Sequence, residues 1–402
     1  MSTNEQRTRR LIRSLEVAII ASIMIAVAAF DSPVLAAGPF VGGFPSDPGF
    51  FPIGVWLQSP DNAPEYKRLG INTFVGLWKG PTEAQLAALA KNGMFAVAEQ
   101  NDVGLTSVNR NVIRSWMQPD EPDNAQHSLL GYGPCISAAE VSAKSHAIRL
   151  RDPTRPILIN FGRGVADPFW PGRGRCTGDQ EYYAAAAVGA DILSFDIYPV
   201  GSDTTHVKGK LEYVASGVDF LVKGATPQQR VWAILETTAL DPKRPVTPDE
   251  LRTEVWMALI HGATGIVYFV HEWTGGFRED GVFRHPEIVR EIADIDRAIA
   301  ELAPVLNAPS ASMPVAVLSE VPVNIITRKH DGYLYIFAVV MRNATTTAEF
   351  TIPGLSNSIA TALGENRSVP FQSGVLKDSI PGYGVRLYRI PLGVAPAGDA
   401  FH

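Results

Sequence analysis

Two short stretches of this 402-residue chain carry a glutamate at the end of an apolar run that contains tryptophan. They are residues 116–122 (WMQPDEP), with Glu121, and residues 232–237 (WAILET), with Glu236. Two carboxyl groups that flank an acetal bond can hydrolyse it, because one gives a proton to the leaving oxygen while the other attacks the carbon or activates water. Glu121 and Glu236 are therefore candidates for such a pair.

Further polar and aromatic residues follow the other apolar runs of the chain. Polar side chains can hydrogen-bond sugar hydroxyls, and flat rings suit the apolar faces of sugar rings. We expect the following residues to bind substrate: Gln58, Trp78, Glu99, Asp120, Asp196, Tyr198, His271, Glu272 and Trp273. The sequence shows no serine–histidine or cysteine–histidine pattern and no metal-ligand spacing, so we predict neither a cofactor nor a metal.

Each candidate also has a structural interpretation. Residues 120–123 (DEPD) could form an acidic loop or a helix start, where negative charge is favourable. Asp196 and Tyr198 are two residues apart, hence on one strand face, and would touch substrate or stand behind it. His271 and Glu272 could instead pair with a neighbouring strand. For Glu236 the structural interpretation is weaker, because an unpaired carboxylate at the end of an apolar strand is costly without a purpose.

The elements that would position these residues alternate regularly. Apolar runs predict strands at residues 51–57, 71–78, 94–100, 112–118, 156–162, 191–198, 230–237 and 265–270. Helical spacing between and after them predicts helices at residues 63–69, 82–91, 137–150, 179–188, 210–223, 247–261 and 286–302. Thr247 and Glu250 match the capping box that begins a helix, and Asn92-Gly93 matches a helix C-cap.

This alternation predicts an α/β fold. Strands that are apolar throughout are typical of a parallel sheet covered on both faces, and eight such units predict a (β/α)₈ TIM barrel over residues 45–308. An open doubly wound sheet is the competing fold, but it would need a glycine-rich turn where residues 56–60 are WLQSP. Short β-rich runs follow Pro304, at residues 314–318, 323–328, 333–341, 347–352 and 384–390, and predict a small C-terminal all-β sandwich domain over residues 309–396.

The two glutamates fall at strand ends that are familiar from one group of enzymes. The chain resembles the retaining glycoside hydrolases of clan A, whose barrels carry an acid/base glutamate after strand four and a nucleophile glutamate after strand seven. The resemblance implies that Glu121 is the acid/base and Glu236 the nucleophile of a double displacement on an oligosaccharide or polysaccharide. It covers about residues 45–395 in architecture, but only the two short stretches in motif.

Other positions follow the clan's pattern in part. Trp273 matches the tryptophan that these enzymes often carry after strand eight, and Tyr198 matches a tyrosine that hydrogen-bonds the nucleophile. The clan's usual asparagine before the acid/base residue is Asp120 here. An ionised aspartate only accepts hydrogen bonds, so the bound sugar or its pose would differ from that of the familiar pyranosides.

The N-terminus has the features of an export signal. Arginines at positions 7, 9, 10 and 13 precede the apolar run 17–30 and a small-residue cleavage site, so we predict a signal peptide over residues 1–36. The pair Arg9-Arg10 resembles a twin-arginine signal, and the predicted location is periplasmic or secreted. An uncleaved membrane anchor is the alternative. In an oxidising compartment, Cys135 and Cys176 would form a disulfide, the alternative being two free thiols.

The whole-chain charge and composition leave two further functional classes open. A formal net charge of −6 argues mildly against a nucleic-acid partner, and 46% hydrophobic residues are compatible with a large core. A non-catalytic carbohydrate-binding protein on the same barrel is the main alternative, because fold alone does not determine function. A metal-dependent hydrolase is a third hypothesis, which lacks the histidine ligands.

Overall fold

The structure, a computed structural model, describes residues 40–128, 131–170, 172, 176–240, 244–355 and 357–392. The predicted signal peptide lies outside these residues. The first part of the described chain forms a closed barrel of eight parallel strands. In chain order these strands are β1 (Ile53–Trp56), β2 (Thr73–Val75), β3 (Phe95–Ala98), β4 (Ile113–Met117), β5 (Ile157–Phe161), β6 (Ile192–Asp196), β7 (Arg230–Glu236) and β8 (Gly265–Phe269).

Helices follow the barrel strands and cover their outer face. They are α1 (Ala63–Leu69), α2 (Glu83–Asn92), α3 (Asp102–Thr106), α4 (Ala138–Arg151), α5 (Gln180–Ala186), α6 (Glu212–Gly224), α7 (Pro248–Ile260) and α8 (Pro286–Leu306). The predicted start of α7 is confirmed, because the Thr247 side chain accepts from the Glu250 N–H and the Glu250 carboxylate accepts from the Thr247 N–H. The predicted C-cap of α2 is also confirmed, since Gly93 has a φ of 63°.

The barrel interior is filled by side chains from alternate positions of the strands. Its buried cluster consists of Trp56, Val75, Val97, Met117, Leu158, Ile192, Trp232, Ile234 and Val267. Trp56 therefore packs inside the barrel and does not line its open end. Phe44, which precedes the barrel, contacts Trp232 with ring centroids 5.4 Å apart and covers the amino-terminal ends of the strands. The carboxyl-terminal ends of the strands form the open face of the barrel.

The second domain is an antiparallel sheet of eight strands around its own core. Its strands are β9 (Ala316–Leu318), β10 (Val323–His330), β11 (Tyr333–Val340), β12 (Thr346–Thr351), β13 (Ser358–Ala362), β14 (Arg367–Gln372), β15 (Val375–Ile380) and β16 (Val385–Pro391). Both the predicted barrel and the predicted all-β domain are confirmed. Three strands, β13 to β15, were not predicted, because their exposed positions carry polar residues and their apolar runs are short.

The two domains share a continuous apolar contact. Trp256 of α7 lies against Phe337 of β11 with ring centroids 5.6 Å apart. The Thr253 hydroxyl donates to the backbone oxygen of Tyr383 at 2.7 Å. The β domain therefore packs on the helices of the barrel's seventh and eighth units, and it also reaches the sixth, where Arg342 lies 3.5 Å from Glu212 of α6.

Candidate active site

Glu121 follows β4 in an unusual backbone conformation. Its φ of 42° is in the left-handed region, which a non-glycine residue occupies only at a cost. The surroundings hold it there: its N–H donates to the Asn160 carbonyl at 3.0 Å, and Asn124 Nδ2 donates to Glu121 Oε2 at 3.0 Å. Gly162 leaves room for the carboxylate, since a Cβ at this position would lie 3.0 Å from Glu121 Oε1. The half-buried side chain is thus positioned by both β4 and β5.

Below Glu121, carboxyl groups from β4 and β6 meet around an amide from β5. Asn160 Nδ2 donates to Asp120 Oδ1 at 2.9 Å and lies 3.4 Å from Asp196 Oδ1. The Ser194 hydroxyl donates to Asn160 Oδ1 at 2.9 Å, which fixes the orientation of the amide. Tyr198 hydrogen-bonds Asp196. The structure therefore brings together four residues that the sequence had placed at two strand ends, Asp120 and Glu121 after β4 and Asp196 and Tyr198 at the end of β6.

The carboxyl groups of this cluster perturb one another. Burial, followed by the neighbouring charge of Glu121, raises the pKa of Asp120 to about 7. Burial and the charges of Glu121 and Asp120 also raise the pKa of Asp196 well above its usual range. Because adjacent buried carboxylates cannot all ionise together, the cluster retains a proton near neutral pH.

Asp123 was not predicted to be a site residue. It joins the loops after β4 and β5. It is fully buried, accepts from the Gly162 N–H at 2.9 Å and accepts from the Tyr183 hydroxyl at 2.9 Å. Burial raises the pKa of Asp123 to about 6. The predicted Cys135–Cys176 disulfide is present and joins the same two loops. Asp123 belongs to the acidic stretch 120–123. The sequence could not reveal that its carboxyl is buried against Gly162 and Tyr183, which come from other parts of the chain.

Glu236 lies elsewhere at the end of β7. Its side chain has no exposed surface, and its two oxygens accept from the backbone N–H groups of Val200 and Gly201 at 2.6 and 2.8 Å. Burial raises the pKa of Glu236 to about 8, although these two N–H groups oppose the rise. Its acidic neighbours are Glu250 and Glu254, and Glu254 of α7 is itself fully buried. The Glu236 carboxyl thus belongs to a second buried acidic group.

Aromatic rings line the mouth beside β8 and β2. Trp273 is 48% exposed and stacks on Phe269 at a centroid distance of 6.0 Å. Phe269 in turn contacts Tyr198 at 5.1 Å, so a row of rings leads from the surface to the acidic cluster. Trp78, after β2, is 66% exposed. The predicted tryptophans are therefore available at the surface of the mouth.

Other predicted substrate ligands make contacts within the protein. Gln58 is buried and accepts from the Tyr66 hydroxyl at 2.7 Å, while Glu272 is buried against His285 at 3.3 Å. His271 is buried with Nε2 3.3 Å from the Leu57 carbonyl oxygen, and burial lowers its pKa. Glu99 is exposed at the end of β3. These contacts hold Gln58 and Glu272 in place at their strand ends, and their role in substrate binding stays a prediction.

In the described part of the chain, no three histidine, cysteine or acidic side chains gather as metal ligands. None of the helices described is long and apolar enough to cross a membrane.

Several solved structures of glycoside hydrolases share this architecture. AmyP in complex with maltose aligns with a TM-score of 0.53 at 10% identity, covering 87% of this chain and 98% of the other. A GH42 β-galactosidase from G. stearothermophilus aligns with a TM-score of 0.51 at 9% identity (85% and 98% covered). The α-galactosidase I from Mortierella vinacea has a TM-score of 0.51 at 10% identity (87% and 99% covered).

The chain shares the fold of these glycoside hydrolases. At this level of identity the similarity concerns the fold alone. No protein-family model matches the sequence, and no curated protein matches it significantly.

Proposed function

We propose that this protein is a glycoside hydrolase that cleaves an oligosaccharide or polysaccharide at the mouth of its barrel. The observation that carries the proposal is the carboxyl cluster of Asp120, Glu121 and Asp196, in which the Asn160 amide lies between Asp120 and Asp196 and burial raises the pKa of both. Glycosidic cleavage requires carboxyl groups in two states at the same bond, one carboxylic acid and one carboxylate. The fold shared with known glycoside hydrolases supports it.

In this proposal Glu121 is the general acid. Its carboxyl would protonate the glycosidic oxygen, and Asn124 would hold it in position through the 3.0 Å hydrogen bond to Oε2. In a double displacement, Glu121 then takes a proton from the water that releases the sugar. The sequence resemblance names Glu236 as the attacking carboxylate, and Asp196 is the competing candidate because it shares the cluster with Glu121.

The aromatic row would supply the sugar-binding surface. Trp273 and Trp78 are exposed after β8 and β2, and a pyranose or furanose ring stacks on such rings through its C–H groups. Asp120 would accept hydrogen bonds from sugar hydroxyls when ionised, or donate one when protonated.

We further propose that the enzyme is exported. Support comes from the signal-like residues 1–36 and from the disulfide between Cys135 and Cys176, since disulfides persist in oxidising compartments.

The second candidate is a non-catalytic carbohydrate-binding protein. One observation favours it: the Glu236 carboxyl, the nucleophile expected from the resemblance, has no exposed surface. A binding protein would retain oligosaccharides on the aromatic rings without cleaving them.

A substrate screen separates the two candidates. The purified protein is incubated with aryl glycosides and with plant, fungal and bacterial polysaccharides, and released aryl alcohol or reducing sugar is measured. We expect turnover on at least one substrate and a loss of about 10²–10⁴-fold in Glu121→Gln. Binding to a polysaccharide with no cleavage at any pH would instead establish the non-catalytic function.

A further inference from the structure

The exposed aromatic side chains of the described part of the chain share one location. Each of them lies in a loop that follows a barrel strand: Trp78 after β2, Tyr132 after β4, Phe169 after β5, and Trp273 and Phe277 after β8. Such loops gather at the carboxyl-terminal face of a parallel barrel, where barrel enzymes bind their substrates. Apolar surface left in water is unfavourable, and its concentration in one place is typical of a binding surface.

These rings form two groups on opposite sides of the barrel. Around the closed sheet, β1 lies between β2 and β8, and β5 is the strand farthest from β1. Trp78, Trp273 and Phe277 therefore belong to the β1 side of the open face. Tyr132 and Phe169 belong to the opposite side, that of β4 and β5.

The carboxyl cluster lies between the two groups in a continuous series of contacts. From the β1 side, stacked rings lead to Tyr198, which hydrogen-bonds Asp196. On the other side, Asn160 of β5 lies 3.4 Å from Asp196, and Gly162, at the start of the loop after β5, borders the Glu121 carboxylate. A saccharide bound at the cluster thus has aromatic surface on both sides of it.

A buried carboxylate holds the loop around Phe169. The Asp167 side chain has no exposed surface and accepts from the Phe169 N–H at 3.2 Å and from Arg163 Nη2 at 2.9 Å. His206, from the loop after β6, has Nε2 2.9 Å from the same carboxylate and its ring edge-on to Phe169 at 6.2 Å. Arg163 also lies over the Trp170 ring at 4.3 Å. Phe169 is therefore 80% exposed on a loop that is fixed beneath it.

We infer that Phe169, Trp170 and His206, here called the β5–β6 platform, bind sugar rings of the same saccharide chain that stacks on Trp273. The enzyme then holds a polysaccharide on both sides of the carboxyl cluster and cleaves it at internal bonds. This inference rests on the proposed glycoside hydrolase function. The platform supplies flat ring faces for the C–H groups of sugars. Because sugars remain attached on each side of the broken bond, the products are oligosaccharides.

Substitution of Phe169 tests the platform by substrate length. Phe169→Ala should lower kcat/KM by about 3–10-fold on the polysaccharide found in the substrate screen, because one stacking surface is lost. On the shortest substrate of the same sugar that the wild type cleaves, the variant should stay within about twofold of wild type, since that substrate does not reach the platform. Equal losses on both substrates, or no loss on the polysaccharide, overturn the inference.

Two further variants accompany this one. Val188→Ala is the matched control, because Val188 is an exposed apolar residue in the loop before β6, at the opposite end of the barrel. It should change neither value. Phe169→Leu keeps an apolar side chain without the flat ring and serves if the alanine variant does not fold. We expect most of the same loss on the polysaccharide, and wild-type kcat/KM in this variant overturns the inference.

The products give an independent readout in the unmodified enzyme. Early in the reaction we expect oligosaccharides, with a viscosity that falls faster than reducing ends accumulate. Release of single sugars alone, with wild-type activity in Phe169→Ala, overturns the inference and leaves the proposed function intact. If the wild type cleaves no saccharide, the proposed function fails and the inference fails with it.

Discussion

Asp123 shows how much of the site depends on a single buried side chain. Its carboxylate accepts one bond from the backbone of the loop after β5 and one from Tyr183 of α5, while its own residue belongs to the loop after β4. Glu121 lies two residues earlier in that loop. The position of the Glu121 carboxyl, which we propose is catalytic, therefore depends on the contacts that Asp123 makes.

Removing the Tyr183 hydroxyl, which donates a hydrogen bond to Asp123, should lower the stability of the protein. We expect Tyr183→Phe to lower the free energy of unfolding by about 1–3 kcal/mol, because a buried carboxylate loses one of its two donors. We also expect a further rise in the pKa of Asp123. Urea unfolding measures the first effect. Tyr182→Phe, which removes a bond to the Ile136 backbone oxygen, is the matched control and should cost less. An equal cost in both variants would contradict the special role of Asp123.

At the residue scale the sequence predicted positions better than side-chain directions. Glu121, Asp120, Asp196 and Tyr198 do meet, because the carboxyl ends of parallel barrel strands lie on one face. Glu236 ends its strand as predicted, but its oxygens are held by the backbone after β6. No property of residues 232–237 specifies that contact, since Val200 and Gly201 are brought there by a different loop.

The elements themselves are strongly specified by local sequence. Helix α1 has the predicted bounds, and α7 begins at the capping box that Thr247 and Glu250 predict. Strand limits were less accurate: the predicted 191–198 ends at Asp196, because apolar residues continue into the turn after the hydrogen-bonded strand. Strands β13 to β15 of the second domain pair with one another in sequence, but β13 also pairs with β16 and β15 with β12, and single-sequence patterns do not reveal these longer-range pairings.

The cap of α7 should stabilise the junction between the two domains. We expect Thr247→Ala to lower the free energy of unfolding by about 1 kcal/mol, because the Glu250 N–H loses its partner at the helix start. Urea unfolding provides the measurement. Thr205→Ala, at an exposed position outside the helices, is the control and should be neutral. An unchanged stability in Thr247→Ala would mean that packing alone holds the helix end.

The loops after β4 and β5 should depend on their disulfide. Cys135 and Cys176 are separated by 41 positions, and a crosslink of this span contributes roughly 3–4 kcal/mol by restricting the unfolded chain. The double variant Cys135→Ser/Cys176→Ser should therefore unfold at a lower urea concentration than wild type. Added reductant should lower the Tm of the wild type and leave that of the double variant unchanged. A reductant effect on both proteins would contradict this account.

At the scale of the whole molecule, buried carboxyls should make stability depend on pH. Burial raises the pKa of Asp123 to about 6, of Asp120 to about 7 and of Glu236 to about 8. In the unfolded chain these groups titrate near pH 4, so the folded state binds more protons between about pH 4 and 8. The stability they contribute is complete at the acidic end of this range and is lost as pH rises through it.

We therefore expect the Tm to fall by several degrees between about pH 5 and 8. Differential scanning calorimetry across this range provides the measurement. Glu254→Gln should make the fall shallower, since a glutamine can donate to the ionised Glu236 without a competing charge. A Tm that is constant or rises over this range would show that these carboxyls are ionised in the folded protein.

The most direct test of the account is whether Glu121 acts as the general acid. The measurement is kcat/KM for a series of aryl and alkyl glycosides of one sugar, in the wild type and in Glu121→Gln. Dinitrophenyl glycosides need little protonation, so the variant should lose less than about tenfold on them, and about 10²–10⁴-fold on alkyl glycosides. A loss that is the same for every leaving group would contradict the role of Glu121 as proton donor.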